Sequence, residues 1–471
     1  MRFGFVMACL SLAWGCQTTP GGGPNDGLKP AVAQRAANSA PAPTAVLAPS
    51  LKVKPTGLWS NVTGTSTAMA ATPGKLNLVN PNTSPDPRGL EVVERRVALL
   101  LPLSGRGAAI GRALLDAAQM ALFETSGDDL ELLIFDTQGT RAGAEDAARL
   151  AVTEGARLIL GPLYGTSAEV VRPVAAAAGV SVVSFSNNRD IAGNGVYVFG
   201  FLPDQQVRRI VRYAMAAGHS RIGALVPSSG FGELVVASAR IATEQTGVSV
   251  VRATYYNPND KELPTLVREF ADYDSRKSLL ATQKRLLSGK PDQISRQALS
   301  RLSGLETLGD PPFDSVLLPA GSAELRGIAP LLAYYDVDPA RIRFLGTALW
   351  DEARGLEVEP ALFGGWYAAP AHESRLIFEE KFERAFTRRP PRLASLGYDA
   401  MLLAVALTYG ENGANYSPAA LTDANGFVGV DGIFRLLTDG TNQRGLAIME
   451  VRESGIQVID PAPTSFTNLQ F

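Results

Sequence analysis

Val97-Ala-Leu-Leu-Leu101, closed by Pro102 and Gly105, is an unbroken apolar run of strand length between turn residues. Such a run fits a strand buried on both faces of a parallel sheet. Working outward, residues 111–123 place Leu114, Leu115, Ala118 and Leu122 at helical spacing. Residues 130–135 read as the next strand and 142–152 as the next helix. Residues 157–160, a helix over about 166–178, and residues 180–185 continue the alternation. Strands separated by helices of about ten to fifteen residues predict right-handed βαβ units, hence an α/β fold of parallel sheets flanked by helices.

A second series starts after Gly200-Phe-Leu-Pro203, with helices over 205–217 and 231–245 and strands over 221–226, 248–255, 313–318 and 342–345. The charged stretch 272–310, broken near Gly289-Lys-Pro291, reads as a helical insertion. A short strand at 364–368, helices at 373–386 and 393–409 and a strand at 446–451 are more than a second sheet needs. Two lobes joined by several crossings are therefore expected. Lobe 1 takes residues 95–202 and lobe 2 residues 203–365. The chain then returns to lobe 1 over 366–425 and to lobe 2 over 426–471. Arg388-Arg-Pro-Pro391 reads as a helix stop.

Composition narrows the chemistry. A chain of 471 residues suits about three domains, and 46% hydrophobic residues suffice for a large core. The two histidines, His219 and His372, are in no metal-ligand spacing, which removes most zinc and His-based triad chemistry. No G-x-S-x-G elbow occurs. Asp128-Asp129 and Glu379-Glu380 read as solvated charges, with no raised-pKa acid set opposite a second carboxylate. The expectation is a protein that is not an enzyme and carries no cofactor or metal.

Cys9 and Cys16 are the only cysteines, so no disulfide or thiolate chemistry is available beyond them. Arg2, the apolar run 3–14 and Gly15-Cys16 form an export signal, too short to span a bilayer. Leu12-Ala-Trp-Gly-Cys16 resembles a bacterial lipobox, which implies lipidation at Cys16. An ordinary signal peptide cut nearby is the other reading. Residues 17–94 are rich in Pro, Ala and Gly and read as a disordered tether. At roughly 70 residues, such a tether spans about 50 Å as a coil and about 220 Å extended. Its apolar residues 51–59 are the part suited to docking. The signal carries +1 and residues 17–89 carry +4, leaving −7 on the remainder. An acidic body disfavours nucleic acid and anionic lipid alike.

Several segments carry a family resemblance. VALLLPLSG (97–105), IFDTQGT (134–140), AGAEDAARLAVTEGARLILGPL (142–163) and GVSVVSFSNN (179–188) resemble the first lobe of type I periplasmic binding proteins, the Venus-flytrap receptors that include the Leu/Ile/Val receptors of ABC importers. Ser395-Leu-Gly-Tyr-Asp-Ala400 is similar to the late G-Y-D-A segment of that fold. LLPLSG (100–105), VFGFLPDQQVRRIVRYA (198–214) and DGIFRLLTDGTNQRGLAIMEV (431–451) are similar to penicillin-binding-protein activator lipoproteins. Those activators carry a helical-repeat domain ahead of the flytrap, where this chain has its low-complexity tether.

In an open α/β sheet, ligands collect beyond the carboxyl ends of the strands. Ser104 follows the first strand, Tyr164 and Thr166 the third, and Ser184, Ser186 and Asn187 the fourth. The resemblance implies Thr166, Ser184 and Ser186 as holders of a ligand carboxylate, and Tyr398-Asp399 or Asp351 as holders of its ammonium. Helix capping and turn shaping explain the same residues, and both readings stand at this point. Gly105-Arg-Gly107-Ala-Ala-Ile-Gly111 with Asp136 also resembles a dinucleotide fingerprint, one residue longer than the common spacing. The resemblance implies a lipid-anchored periplasmic regulator of a peptidoglycan synthase, held at the outer membrane, with two states that a partner can bias. The alternative is a substrate-binding lipoprotein handing a small polar ligand to an ABC permease.

Overall fold

The computed structural model describes residues 51–53, 95–125, 130–258, 260–351, 355–370, 372–410 and 413–466. The export signal, Cys16 and the expected tether other than 51–53 lie outside the described residues. The first sheet takes Leu51–Val53 (β1) and Arg96–Leu101 (β2), then Ala108–Thr125 (α1) leads to Glu131–Asp136 (β3). Arg141–Thr153 (α2), Leu158–Leu160 (β4), Gly165–Ala177 (α3), Ser181–Ser184 (β5) and Val196–Val198 (β6) follow. The strand order is β1-β3-β2-β4-β5-β6, parallel from β3 to β6. Because side chains alternate across a strand, β2 sends Val97, Leu99 and Leu101 into one core cluster and Ala98 and Leu100 into another. That is why its sequence is apolar throughout. On one face the sheet is covered by α2, whose buried stripe is Ala144, Ala147, Ala148 and Ala151 at helical spacing.

The second lobe begins with Pro203–Ala216 (α4), Arg221–Pro227 (β7), Gly230–Thr243 (α5) and Ser249–Tyr256 (β8). Leu263–Phe270 (α6), Tyr273–Ser288 (α7) and Gln293–Leu302 (α8) precede Ser315–Leu317 (β9), Ser322–Tyr334 (α9), Arg343–Gly346 (β10) and Trp366–Ala369 (β11). The chain continues through Glu373–Phe386 (α10), Ala394–Thr408 (α11) and Pro418–Leu421 (α12). It ends in Phe427–Gly429 (β12), Gly432–Leu436 (β13), Asn442–Arg444 (β14), Ala447–Arg452 (β15) and Gly455–Asp460 (β16). The second sheet has the order β16-β15-β11-β10-β9-β7-β8 and is parallel from β8 to β11. Each lobe therefore has a switch point, at β2/β4 and at β7/β9, where the chain turns to opposite sides of its first strand.

The structure corrects the expected division in three places. Residues 366–369 are β11 of the second sheet, paired with β10 and β15, so the return to the first lobe starts at α10. Residues 427–444 form a separate antiparallel ribbon, β12-β13-β14, whose Phe434 and Leu436 enter the first lobe's core, with Phe434 edge-on to Phe199 at 5.0 Å. Only β15 and β16 rejoin the second lobe. Within the expected tether, β1 runs antiparallel along β3, Leu51 opposite Ile134. A sheet edge offers a row of unpaired N–H and C=O groups, and β1 satisfies those of β3.

Helices α10 and α11 pack on α1: Phe378, Phe382, Leu396 and Met401 share a cluster with Leu114 and Ala118. Gly397 sets the distance, since a Cβ there would lie 2.3 Å from the Leu114 carbonyl oxygen. Gly397→Val must push α1 and α11 apart. Overpacking of this kind costs about 1–3 kcal/mol. Thermal unfolding followed by circular dichroism is expected to show a lowered midpoint; an unchanged midpoint would mean the two helices do not approach this closely.

Candidate functional site

At the first lobe's switch point, the loops after β2 and β4 meet. Asp136 at the end of β3 accepts from Ser104 Oγ (2.5 Å), from the Leu103 and Ser104 amides (2.8 and 3.2 Å) and from the Gln138 amide (2.7 Å). Burial pushes its carboxyl up, but the Ser104 hydroxyl and these amides outweigh burial and hold it below the usual range. The glycines of the fingerprint-like loop admit the protein's own atoms. A Cβ on Gly107 would lie 2.1 Å from Tyr164 Oη, and one on Gly105 2.4 Å from the Gln138 carbonyl oxygen. The Arg106 guanidinium lies over the Tyr164 ring at 5.4 Å. The approach that a pyrophosphate would use is filled by Tyr164 and Gln138, and Asp136 is committed to the loop.

Ser184 is fully buried; its hydroxyl donates to the Pro162 carbonyl (3.0 Å) and accepts from the Ser186 amide (3.3 Å). It ties β5 to the loop after β4 and is closed to a ligand. Ser186 accepts from the Asn188 amide at 3.1 Å, and its hydroxyl lies against Gly165, the first residue of α3. Tyr164 is the N-cap of α3 and supplies no side-chain hydrogen bond there. Thr166 and Asn187 are exposed beside it. Ser186, Thr166, Asn187 and the start of α3 thus form one polar corner, with Ser104 and Tyr164 on the neighbouring loops.

The three expected ammonium holders sit elsewhere. Tyr398 donates to Glu124 at 2.6 Å and packs edge-on to Phe378 at 5.4 Å, tying α11 to α1. Asp399 is fully buried, accepting from the Val430 amide at 2.6 Å, and Asp431 lies fully buried nearby. Asp431 is bonded to Arg392 at 2.8 Å and to Ser395 Oγ at 2.6 Å. Arg444 stands 3.8 Å from Asp399, donates to the Phe199 carbonyl at 2.9 Å, and lies over the Phe199 ring at 4.6 Å. The Asp351 side chain, at the carboxyl end of β10, is closed to solvent and accepts from Tyr367 (3.1 Å), His372 and Arg375, with Arg392 at 3.9 Å. Arg392 therefore links an acid of the second lobe to an acid of the first.

This seam lies where the chain crosses between lobes: after β6, between β11 and α10, and between β14 and β15. Asn442 Nδ2 donates to the Val198 and Gly200 carbonyls, both at 2.9 Å. Gln205 donates to the Asn442 carbonyl and accepts from the Arg444 amide, while Arg209 donates to the Leu446 carbonyl at 3.0 Å. Two of the crossings are thus stapled together by side chains. Among the described residues no group of His, Cys, Asp and Glu is arranged to hold a metal ion, and no helix is long and apolar enough to cross a membrane.

The profile of the periplasmic binding protein family matches residues 94–456. The chain belongs to that family. Its type I fold is shared with a putative branched-chain amino acid ABC transporter protein from Rhodospirillum rubrum: 18% identity, TM-score 0.60, covering 77% of this chain and 99% of that one. It is shared equally with the C-domain of LpoA from Haemophilus influenzae, described as a regulator of PBP1A: 16% identity, TM-score 0.55, covering 77% and 99%. In sequence the chain is 24% identical over 243 residues to the penicillin-binding protein activator LpoA of Photobacterium profundum, covering 50% of this chain and 36% of the relative. The chain spans about half or less of the length of the curated relatives it matches.

As a periplasmic binding protein, this chain has a polar corner on its first lobe, and its buried acids between the lobes are ion-paired or hydrogen-bonded. Sequence reading missed Arg375, Arg392, Asp431 and Arg444, because an isolated Arg beside Pro391 or Gly445 reads as an exposed turn residue. Burial pushes the Asp351 carboxyl up, but the His372 hydrogen bond and the Arg375 charge outweigh it and hold it down to about 2. For Asp399, burial and the facing Asp431 outweigh Arg444 and push the carboxyl up. At Asp431 burial is overcome by Arg392, which holds it down.

Asp351 has a lowered native pKa, so its stabilisation is complete above about pH 4 and is lost as pH falls through about 2. Urea unfolding over this range should show that acid limb, flattened in Asp351→Asn, and the variant should cost about 3 kcal/mol by removing the buried partner of Arg375, which keeps only the more exposed Glu379. Asp399 has the opposite sign: its contribution is present below about pH 4 and lost as pH rises. Asp431→Asn, which breaks a charge-assisted pair, is expected to cost about 3 kcal/mol and Asp399→Asn about 1 kcal/mol. Equal costs, measured at pH 7 by denaturant unfolding, would refute the assignment of the charged partner to Asp431.

Proposed function

We propose that this protein is a non-catalytic periplasmic lipoprotein, held at the outer membrane through Cys16, that binds and stimulates a peptidoglycan synthase. The observation that carries the reading is the occupied seam. Asp351, the second-lobe acid expected to hold a ligand ammonium, is already hydrogen-bonded to His372 and paired with Arg375, with Arg392 nearby. A receptor that must grip and release a zwitterionic solute needs an acid it can offer. The sequence similarity to the penicillin-binding protein activator LpoA supports the same choice. The buried carboxylates, the acids with the strongest environments, are committed to structural partners, which supports a non-catalytic role.

A second reading is a solute receptor serving an ABC permease, and one observation favours it. The start of α3, which carries Thr166, lacks a side-chain cap and lies against the Ser186 hydroxyl, an arrangement suited to a carboxylate-bearing small polar ligand. Isothermal calorimetry against free amino acids separates the two: micromolar, enthalpy-driven binding supports the receptor, and its lack supports the regulator.

The direct test is the glycan polymerisation rate of the purified synthase from the same cell, with and without this protein. A several-fold increase is expected. No rate change together with no detectable complex would sink the proposal. Separately, Cys16→Ser should move the protein from the membrane fraction to the soluble periplasm, and continued membrane retention would refute lipidation.

A further inference from the structure

We infer that a groove on the second lobe, formed by α7, the turn after α8 and the end of α9, docks an acidic segment of a partner protein that carries an apolar anchor residue. The groove encloses about 490 Å³ and is lined by Tyr273, Lys277, Leu280, Lys284, Leu305 and Tyr334, a volume within the range that side chains and small ligands fill. Its wall is a tyrosine ladder, Tyr273 edge-on to Tyr335 at 5.3 Å and Tyr335 edge-on to Tyr334 at 5.1 Å. Lys277 Nζ lies 5.3 Å from the Tyr273 ring centroid. Leu305 and Tyr334 are 46% and 71% exposed, and Leu286 and Ile294 of the same hairpin are 61% and 80% exposed. Three large apolar side chains left in water on one insertion, with Tyr334 of α9 beside them, call for a covering surface.

Charge identifies the occupant. Between Ser275 and Leu305 stand seven Lys and Arg against one acid, Asp292, on a body that is otherwise strongly acidic. Exposed arginines elsewhere pair with carboxylates, as Arg141 does with Glu169, Arg149 with Glu145, and Arg384 with Glu380. The side chains of Lys284, Arg285, Arg296 and Arg301 make no ion pair or hydrogen bond among the described residues. The one basic residue of α7 that is buried, Arg276, is bonded to the Gly309 and Asp336 carbonyls and fixes the insertion to the lobe. Glu306 is the acidic member of the lining and favours an occupant whose anchor, not its carboxylates, enters the groove. A concave, aromatic-walled site suits a side chain better than the plane of a bilayer, and the acidic body would be repelled by anionic headgroups. A protein segment with a Phe or Leu between Asp and Glu residues fits both the walls and the unpaired cations.

This surface deepens the regulator reading and rests on it for its natural partner. The test uses the full chain, the triple variant K284E/R285E/R301E, and Leu305→Ser, all at exposed or half-exposed positions; circular dichroism verifies folding. Against the purified synthase, the triple variant is expected to lose about tenfold or more in affinity and most of the salt dependence of association, as charge reversal at a docking rim does. Leu305→Ser should weaken binding with the salt dependence retained. Unchanged affinity in both variants would overturn the groove while leaving the regulator reading intact. If the wild type does not bind the synthase, the regulator reading fails and the groove is judged by a synthetic peptide, acetyl-Asp-Glu-Phe-Glu-Asp-Leu-Asp-amide. Fluorescence polarisation must then show binding to wild type, weakened in both variants; no binding overturns it. Sedimentation with phosphatidylglycerol vesicles, lost in the triple variant, without peptide binding would assign the cations to lipid and also overturn it.

Discussion

A carboxylate taken out of water must find a cation or a proton, and three of them, Asp351, Asp399 and Asp431, are buried where the chain passes between its lobes. That constraint organises the middle of the molecule. Arg392 meets the demand from two sides, bonded to Asp431 at 2.8 Å and 3.9 Å from Asp351. Its guanidinium also lies over Phe201 at 4.3 Å, in the crossing that leads from β6 to α4. Arg444 brings Asp399 into the same group and lies over Phe199, Phe201 and Phe434. The phenylalanines are not only core filling. They supply the faces on which two guanidinium groups rest after losing their water.

Such a seam is weak evidence for stability in itself, because apolar residues of similar volume often do as well. It specifies geometry. Each of its hydrogen bonds is directional, and each partner comes from a different segment: the end of β10, the start of α10, the turn before α11, the turn before β13 and the end of β14. A register error in any one of them leaves a charge buried and alone. The opposite directions of the Asp399 and Asp431 shifts follow from the same arithmetic, since one cation-rich corner cannot fully neutralise two facing acids.

The α/β fold was legible because its signals are local. β2 is apolar throughout since both faces are buried, α2 shows its alanines at helical spacing, and turns with Gly and Pro separate them. The family resemblance rested on the same segments. What escaped was tertiary. Residues 427–444 alternate weakly, and only the position of Phe434 against Phe199 assigns that ribbon to the first lobe. Leu51–Val53 sits amid prolines and glycines, and its pairing is dictated by the open edge of β3, not by its own pattern. The site residues divided along the same line. Ser104, Tyr164, Ser186 and Thr166 came together because they follow successive strands of one sheet. Asp351, Tyr398 and Asp399 were placed in the cleft by motif position, whereas Asp351 and Asp399 are set by arginines more than twenty residues away in sequence and Tyr398 by Glu124 on α1. Nothing in an isolated Arg announces that its head will be buried.

The staples across the crossings have a mechanical consequence. Asn442 and Gln205 fasten the strand leaving the first lobe to the strand returning to the second, and the seam continues from Arg444 through Arg392 to His372 at the remaining crossing. Torsion applied to one connector is therefore passed to the others through these bonds. A binder that touches both halves at once meets lobes whose connectors are linked, and spends less conformational entropy on aligning them than on aligning two independent halves. Preorganisation of this sort favours bivalent recognition, in which two modest footholds on one rigid scaffold add up to a durable hold.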